Sequence, residues 1–389
     1  MTRLILKKGE EARMLAGHRH VYMNEVARIE GELVPGGEAE VVTAAGRFVG
    51  QGLLSPASKI VLRIYSYKPV ALDREFFAAR LKEAWDYRRS LGLMDACRLV
   101  FGEADGLPGL VVDKYGDWLS VQILTAGLEA RREMLCELLC ELLAPKSIYE
   151  RSDVAVRRRE GLPERKELLY GDVPDEVVIT ENGFLIAVDV KEGQKTGHYL
   201  DQRENHAAIA PYVKGRDLLD ACCFTGGFAL HGAGYGAKSV LAADISLPTL
   251  ERAKANLARN ALTAEFVQAD VFELLPDLAA KGRRFGMVVL DPPAFCKNKS
   301  ALEKAYRGYR EINYRAMNLL EDGGYLVTCS CSHYMTPPLF EAMLREAAIL
   351  AGVRARLVES RMQSRDHPVD LADDESLYLK CKILRIERN

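Results

Sequence analysis

The spacing of apolar positions divides the chain into three stretches. From about residue 181 onward, short apolar runs alternate with amphipathic ones. The runs predict strands over 184–190, 217–222, 239–245, 264–269, 285–290, 323–329, 354–360 and 376–384. Apolar positions three and four apart predict helices over 201–212, 226–234, 248–261, 301–320 and 336–350. Such alternation predicts an α/β fold with a doubly wound sheet. The first 65 residues read differently. Glycine-spaced pieces over 39–43, 47–52 and 60–65 predict the strands of a small barrel or sandwich. Between these stretches lies a smaller α/β segment. It has a helix over 73–91, strands near 110–113 and 118–123 around a Lys114-Tyr115-Gly116-Asp117 turn, a helix near 128–143 and a strand near 147–150. The predicted domains are therefore 1–65, 66–180 and 181–389, in keeping with a chain of 389 residues.

Composition narrows the class. Hydrophobic residues make up 48% and charged residues 28%, an ordinary soluble composition. No apolar run reaches the length of a membrane span, and the first residues lack the apolar core of a signal peptide. Nine cysteines without disulfide or zinc spacing fit a reducing cytoplasm. Cys136 and Cys140, four apart on a helix, read as core. The net charge of −2 supplies no bulk field for nucleic acid, so any such contact must use local patches. His18, Arg19, His20 and the run Arg157-Arg158-Arg159 are the candidates; the run reads equally well as a solvated loop.

The candidate chemistry sits at strand ends. The run from Asp217 to Phe228 is a strand, a tight loop and a helix start. It contains Asp220 and Phe224-Thr225-Gly226-Gly227, with small residues where a backbone could approach a ligand. Cys222 and Phe224 stand where a dinucleotide fingerprint would have glycine. Asp244 ends the next strand, where an acid can accept ribose hydroxyls. Asp270 ends the third, where it could read an adenine amino group. Three strand-end acids, Gly-Gly and no P-loop lysine suggest S-adenosylmethionine rather than a phosphate-bearing nucleotide. An unliganded core with acidic helix caps is the alternative. The segment 191–203, with two glycines and several donors, reads as a ligand-gripping loop or an ordinary turn.

Two further segments point to covalent chemistry on a base. Asp291-Pro292-Pro293-Ala294-Phe295 follows the apolar run 287–290, and Thr328-Cys329-Ser330-Cys331-Ser332 follows 325–327. Loops leaving the carboxyl ends of neighbouring parallel strands face one crevice. A thiolate adding to carbon 6 of cytosine makes carbon 5 nucleophilic toward a methyl donor. Cys331 and Asp291 suit the nucleophile and the acid near ring nitrogen 3. Ser330, Ser332, backbone donors, Lys297 or Lys299 could activate the thiol. Cys329, deeper in the strand, reads as packed. Cys222, Cys223 and Cys296 also lie near strand ends, so five cysteines could ring the cleft; no metal is expected there.

Taken together, these segments resemble the bacterial large-subunit ribosomal RNA cytosine-5 methyltransferases with an N-terminal PUA domain, the RlmI-like family. The matching stretches are Gly193-Gln194-Lys195-Thr196-Gly197-His198-Tyr199-Leu200-Asp201-Gln202-Arg203, Phe224-Thr225-Gly226-Gly227-Phe228, Asp291-Pro292-Pro293-Ala294-Phe295, Arg307-Gly308-Tyr309, Ser330-Cys331-Ser332 and Asp366-His367-Pro368. Gly17-His18 and the glycine-spaced strands resemble PUA less specifically. The resemblance implies a class I methyltransferase sheet preceded by a small β-barrel PUA-like domain and a small α/β middle domain. It implies S-adenosylmethionine as cofactor, large-subunit ribosomal RNA as partner and Cys331 as nucleophile. The cofactor candidates are Gln194, Lys195, Thr196, Tyr199, Asp220, Cys222, Phe224, Thr225, Gly226, Gly227, Asp244, Ile245, Ser246, Asp270, Val271, Asp291 and Pro292. Many RNA cytosine-5 methyltransferases carry a second cysteine directly after Asp-x-Pro. Here that place is Pro293-Ala294, as in RlmI-like members, and the base that takes the carbon-5 proton stays open. His198 stands where the family usually has an aromatic, and His367 lies in a late loop that faces the cleft or caps a turn. Two other readings compete: methylation of an exocyclic amine without a cysteine, and an RNA-binding protein that retains the cofactor. The oligomeric state is open, a homodimer included.

Overall fold

The computed structural model describes every residue except Gln194, Lys195, Lys297 and Asn389, together with the side chain of Asp374. The chain forms two compact units. The first comprises Met1–Ile179, Val188–Leu200 and Arg365–Ser376; the second comprises Thr180–Ala187, Asp201–Ser364 and Leu377–Asn389.

The first unit holds two sheets. Strands β1 (Thr2–Leu6), β2 (His20–Tyr22), β3 (Val26–Glu30), β4 (Glu38–Val42), β5 (Phe48–Leu54) and β6 (Ile60–Ser66) pair in the order β2-β6-β5-β4-β1-β3. Leu4, Leu6, Val21, Val41, Val49 and Ile64 form their core. Strands β7 (Ala96–Phe101), β8 (Leu110–Tyr115), β9 (Trp118–Ile123), β10 (Ser147–Ser152) and β11 (Arg165–Gly171) form the second sheet, in the order β11-β10-β9-β8-β7. Helices Arg74–Ser90 and Arg132–Leu143 bury Phe77, Leu81, Leu135, Leu138 and Leu139 against it. Asp73 caps the first of these by accepting from the Phe76 N–H at 3.0 Å.

The two sheets share one interior. Leu53 and Tyr65 belong to the core of the second sheet. Arg63 and Glu160 form a two-pronged ion pair at 2.9 and 3.3 Å, both side chains buried. The late segment 365–376 is fastened here as well. Arg88, wholly buried, donates to Asp105 and to the Asp366 carbonyl, and the Asp366 carboxylate accepts from the Arg98 N–H at 2.8 Å.

A hairpin of β12 (Val177–Glu181) and β13 (Phe184–Val188) leads to the second unit. Its sheet contains β14 (Asp217–Asp220), β15 (Ser239–Asp244), β16 (Glu265–Gln268), β17 (Phe285–Leu290), β18 (Leu320–Ser330), β19 (Val353–Arg361) and β20 (Lys380–Arg388). The order is β16-β15-β14-β17-β18-β20-β19; β14 to β18 run parallel and β20 is antiparallel to both neighbours. Helices Gly227–Gly234 and Leu247–Arg259 pack on one face through Phe228, Ala229 and Leu250. Helices Val271–Ala280, Leu302–Leu319 and Pro337–Ala351 pack on the other. The order reverses between β14 and β17, so loops leaving those strands diverge to opposite faces and open a crevice.

Several elements depart from the sequence expectations. The helix Val271–Ala280 is absent from the sequence expectations, and Pro276 lies inside it. Leu274, Leu275 and Leu278 bury enough apolar surface to outweigh the lost backbone bond. The helix expected over 201–212 is two pieces, Arg203–Ala208 and Ala210–Val213, the second beginning around Pro211. The last strand lies at Lys380–Arg388 rather than 376–384. Strands β7 and β11 were also not expected.

Candidate active site

Strand β14 ends at Asp220, and the loop beyond it is held in an uncommon shape. Phe224 has φ 48°, a left-handed conformation rare for a bulky side chain, and Gly226 has φ 88°. The Asp244 carboxylate pins the Phe224 N–H at 3.0 Å and accepts from the Ser246 N–H at 2.9 Å and the Thr249 hydroxyl at 3.2 Å. Its Oδ1 carries the last two of these bonds and its Oδ2 only the first, so Oδ2 keeps acceptor capacity. Gly227 admits no side chain: a Cβ there would lie 2.5 Å from the His206 ring.

That ring belongs to a buried network under the loop. His206 Nδ1 bonds Glu181 at 2.7 Å. His231 Nδ1 donates to the Gly227 carbonyl at 2.8 Å, leaving Nε2 to accept from Asn182 at 3.1 Å. Glu181, His206 and His231 have ligand atoms within 4.8 Å of one another, close enough to hold a cation. Their hydrogen bonds to each other and to the backbone already account for the arrangement.

Asp220 itself is wholly buried. One oxygen accepts from the Ala229 N–H at 2.9 Å, and the other has no partner among the described residues. Burial first, then the Asp291 charge, pushes its carboxyl up to about 8. Asp291 follows β17, and Gln202 donates to it at 2.9 Å while accepting from Asn205. Asp270 caps the helix Val271–Ala280 by accepting from the Phe272 N–H at 2.8 Å. Asp220, Asp291, Asp244 and Asp270 all act on the Cys222 thiol, which burial also pushes up. Four carboxyl groups thus gather at one edge of the sheet, around a loop of small residues. Val271 and Pro292 are buried beside this edge, Thr225 and Ser246 are at least partly covered, and Ile245 is exposed.

The residues present fit S-adenosylmethionine. The unpartnered Asp220 oxygen and the acid cluster suit a cation.

Cys331 lies just beyond the end of β18 and is half-buried. Ser332 beside it accepts from the Cys296 N–H at 3.1 Å and bonds the Tyr309 hydroxyl at 3.0 Å. The Phe295 ring packs on Tyr309, centroids 4.6 Å apart. Cys329 is buried, paired across strands with Cys381. Cys223 and Cys329 belong to the core of one sheet face and Cys296 to that of the other, so the five cysteines do not ring a cleft. Sequence reasoning missed Gln202, although it lies within the quoted 193–203 stretch. It also missed Lys380 of β20, whose ammonium donates to the Ser332 carbonyl at 2.7 Å and the Tyr378 carbonyl at 2.8 Å.

Other candidates lie in the first unit. Thr196 is buried and its hydroxyl donates to Asp113, so it fastens its own loop rather than facing a ligand. Arg151 holds the same loop through the Gly193 carbonyl at 2.8 Å, and the Tyr115 hydroxyl accepts from the His198 N–H at 3.1 Å. Tyr199 is partly exposed; Gln194, Lys195 and the suggested activator Lys297 lie outside the described residues. His367 is buried against Asp366 and Phe101. Two RNA-contact expectations are corrected. Arg157 is wholly buried, donating to Glu129 at 2.9 Å and to the Pro163 and Ile123 carbonyls. His20 is buried against Glu103 at 3.1 Å. A guanidinium or imidazole already paired inside a core is not available to phosphate. His18 is half-buried and Arg19 lies over the Tyr67 ring, whereas Arg158 and Arg159 are exposed, Arg158 pairing with Glu164.

Comparison with known proteins agrees with this geometry. A model of a PUA-like domain matches residues 4–67, and a model of S-adenosylmethionine-dependent methyltransferases matches 117–372. Relatives named ribosomal RNA large subunit methyltransferase I align over nearly the whole chain. The Aeromonas hydrophila protein is 42% identical, covering 98% of each chain. That of Vibrio cholerae is 41% identical, covering 98% of this chain and 99% of the relative. A crystal structure of a methyltransferase complexed with SAH superposes with TM-score 0.86 at 20% identity, covering 99% of this chain and 100% of that one. A SAM-dependent methyltransferase from Streptococcus mutans gives 0.84 at 20% identity, with the same coverage. No helix among the described residues is long and apolar enough to cross a membrane. The chain belongs to the S-adenosylmethionine-dependent methyltransferases, with S-adenosylmethionine as cofactor, in the family of ribosomal RNA large subunit methyltransferase I.

Proposed function

We propose that the protein methylates carbon 5 of a cytosine in large-subunit ribosomal RNA through a covalent adduct on Cys331. The observation that carries this reading is a half-buried thiol one residue past β18, the strand beside β17, which Asp291 follows. The names of the full-length relatives support ribosomal RNA as the substrate. S-adenosylmethionine supplies an electrophilic methyl group on a sulfonium. Asp244 would accept the ribose hydroxyls, Asp270 the adenine amino group, and Asp220 would answer the cationic end. Phe224, Thr225, Gly226 and Gly227 would shape the seat, with Cys222, Ile245, Ser246, Val271 and Pro292 at its margin.

The chain's own groups then act on the base. The Cys331 sulfur bonds to carbon 6 and carbon 5 becomes nucleophilic. After methylation carbon 5 loses its proton, and the carbon–sulfur bond breaks to restore the thiolate. Asp291, oriented by Gln202, would hold the base at ring nitrogen 3. A base within a duplex must be unstacked to reach the thiol. We assign the neighbouring RNA contacts to Arg19, Arg158, Arg159 and the half-buried His18, by backbone and shape. The same reading keeps the working division 1–65, 66–180 and 181–389, a cytoplasmic location and a homodimer as the oligomer to look for.

RNA carrying 5-fluorocytidine tests it, since fluorine at carbon 5 blocks the elimination that frees the enzyme. The expected result is a denaturant-resistant adduct mapped to Cys331, lost in Cys331→Ala along with all methyl transfer while cofactor binding persists. Methyl transfer without any adduct would favour an exocyclic amine as the acceptor.

A further inference from the structure

We infer that Lys380 is a positioning residue that holds the Cys331 sulfur as a thiolate. The inference rests on Cys331 being the nucleophile and names the group that activates it.

Lys380 and Lys382 lie two apart on β20, on one face of the sheet, each with 3% of its surface exposed. Lys382 has the partner a buried ammonium needs: it donates to the Glu341 carboxylate at 2.5 Å and to Ser360 at 2.6 Å. Among the described residues Lys380 has no carboxylate partner. Its ammonium meets only two backbone carbonyls among the described residues, those of Ser332 and Tyr378. Burying a cation without a counter-ion is costly, so an anion is expected within reach.

Register says where that anion stands. Lys380 pairs directly with Ser330 across the β18–β20 ladder. Its side chain reaches past the strand end to the carbonyl of Ser332, the residue after Cys331. Several titratable groups lie on the surrounding elements: Tyr309 on the helix Leu302–Leu319, Asp291 after β17, Cys329 on β18 itself, and Cys381 and Lys382 on β20. Cys329 and Cys381 are wholly buried, and Asp291 accepts from Gln202. The Cys331 charge is the one that acts on Lys380; burial brings the ammonium down to about 8, and the thiolate opposes that shift. At neutral pH Lys380 therefore remains mostly protonated. The S–H bond of Cys331 breaks with its proton passing to water. The sulfur lone pair left behind is the one that bonds to carbon 6, and Lys380 keeps its own proton throughout.

The test needs no RNA. The pH dependence of iodoacetamide labelling at Cys331, read by peptide mass mapping of the full chain, reports the thiolate directly. In the unaltered protein the midpoint is expected below the ~8.5 of a free thiol. Lys380→Met should raise the midpoint and slow labelling at pH 7 about tenfold, while Lys380→Arg keeps it low. A midpoint at or above that of a free thiol in the unaltered protein would overturn the inference, even if the Met variant does not fold. An unchanged profile in a folded Met variant would do the same. A low, Lys380-dependent midpoint without a fluorocytidine adduct would leave the ion pair standing and remove only the covalent reading.

Discussion

Cofactor binding should drive a proton off Asp220. Its carboxyl is held up to about 8, by burial first and by Asp291 next. At pH 7 such a group is about nine-tenths protonated. The folded pKa lies above the unfolded one, so its contribution to stability is full below about 4 and fades as pH rises through about 8. The cation of S-adenosylmethionine beside the unpartnered oxygen reverses this by favouring the carboxylate. If Asp220 is ionised in the complex, affinity should rise as its protonated fraction falls. Between pH 5.5 and pH 7 that is a gain of about thirtyfold, with about 0.9 proton released per cofactor at pH 7. This window lies above the ordinary carboxylate range and below the titration of an α-amino group near 7.7 to 8, so the ligand keeps its charge. Calorimetry across it, in buffers of differing ionisation enthalpy, gives both the affinity slope and the proton count. Asp220→Asn should bind with a flat profile. A flat profile in the unaltered protein, or an unchanged slope in the Asn variant, would refute the assignment.

Three substitutions probe other parts of the structure. Arg157→Ala should lower stability by about 3–5 kcal/mol, because Glu129 and the nearby Glu150 lose a buried cation; weaker RNA binding at unchanged denaturation midpoint would argue against its burial. Gly227→Ala forces a Cβ against the His206 ring and should cost about 1–3 kcal/mol by overpacking, with a matching fall in thermal midpoint and weaker cofactor binding. Asp244→Ala frees the Phe224 and Ser246 N–H groups together, so cofactor affinity should fall at least about tenfold, the scale of one lost charged hydrogen bond. Unchanged calorimetric affinity would contradict the ribose assignment.

Asp220 and Asp291 were visible in the sequence because each follows an apolar run that is buried in the sheet. Leu218-Leu219 before Asp220 and Val288-Val289-Leu290 before Asp291 are such runs. The place of Cys331 was visible for the same reason: the apolar run 325–327 leads into a buried strand end, and Cys331 comes one residue after the strand. What lay hidden depends on contacts distant in sequence. Lys380 reads as the polar face of an edge strand until β20 is seen inserted between β18 and β19. Arg157 reads as part of a basic run until Glu129 is found 28 residues away against it. Also hidden was the helix around Pro276, whose leucines are buried by tertiary packing rather than by helix propensity.

The fastening of residues 365–376 into the first unit bears on how the protein is made. The chain passes between the two units five times before it ends. The Arg98 N–H finds its carboxylate 268 residues later, and Arg88 its third carbonyl 278 residues later. At a synthesis rate of about 5–20 residues per second, the emerging amino-terminal half waits roughly ten seconds to a minute for that segment. During this interval the buried Arg88 guanidinium and the Arg98 N–H have incomplete partners. The usual vectorial order, with the first domain finished before the next begins, is closed to this topology. Translation arrest before Asp366 should leave the first unit sensitive to protease.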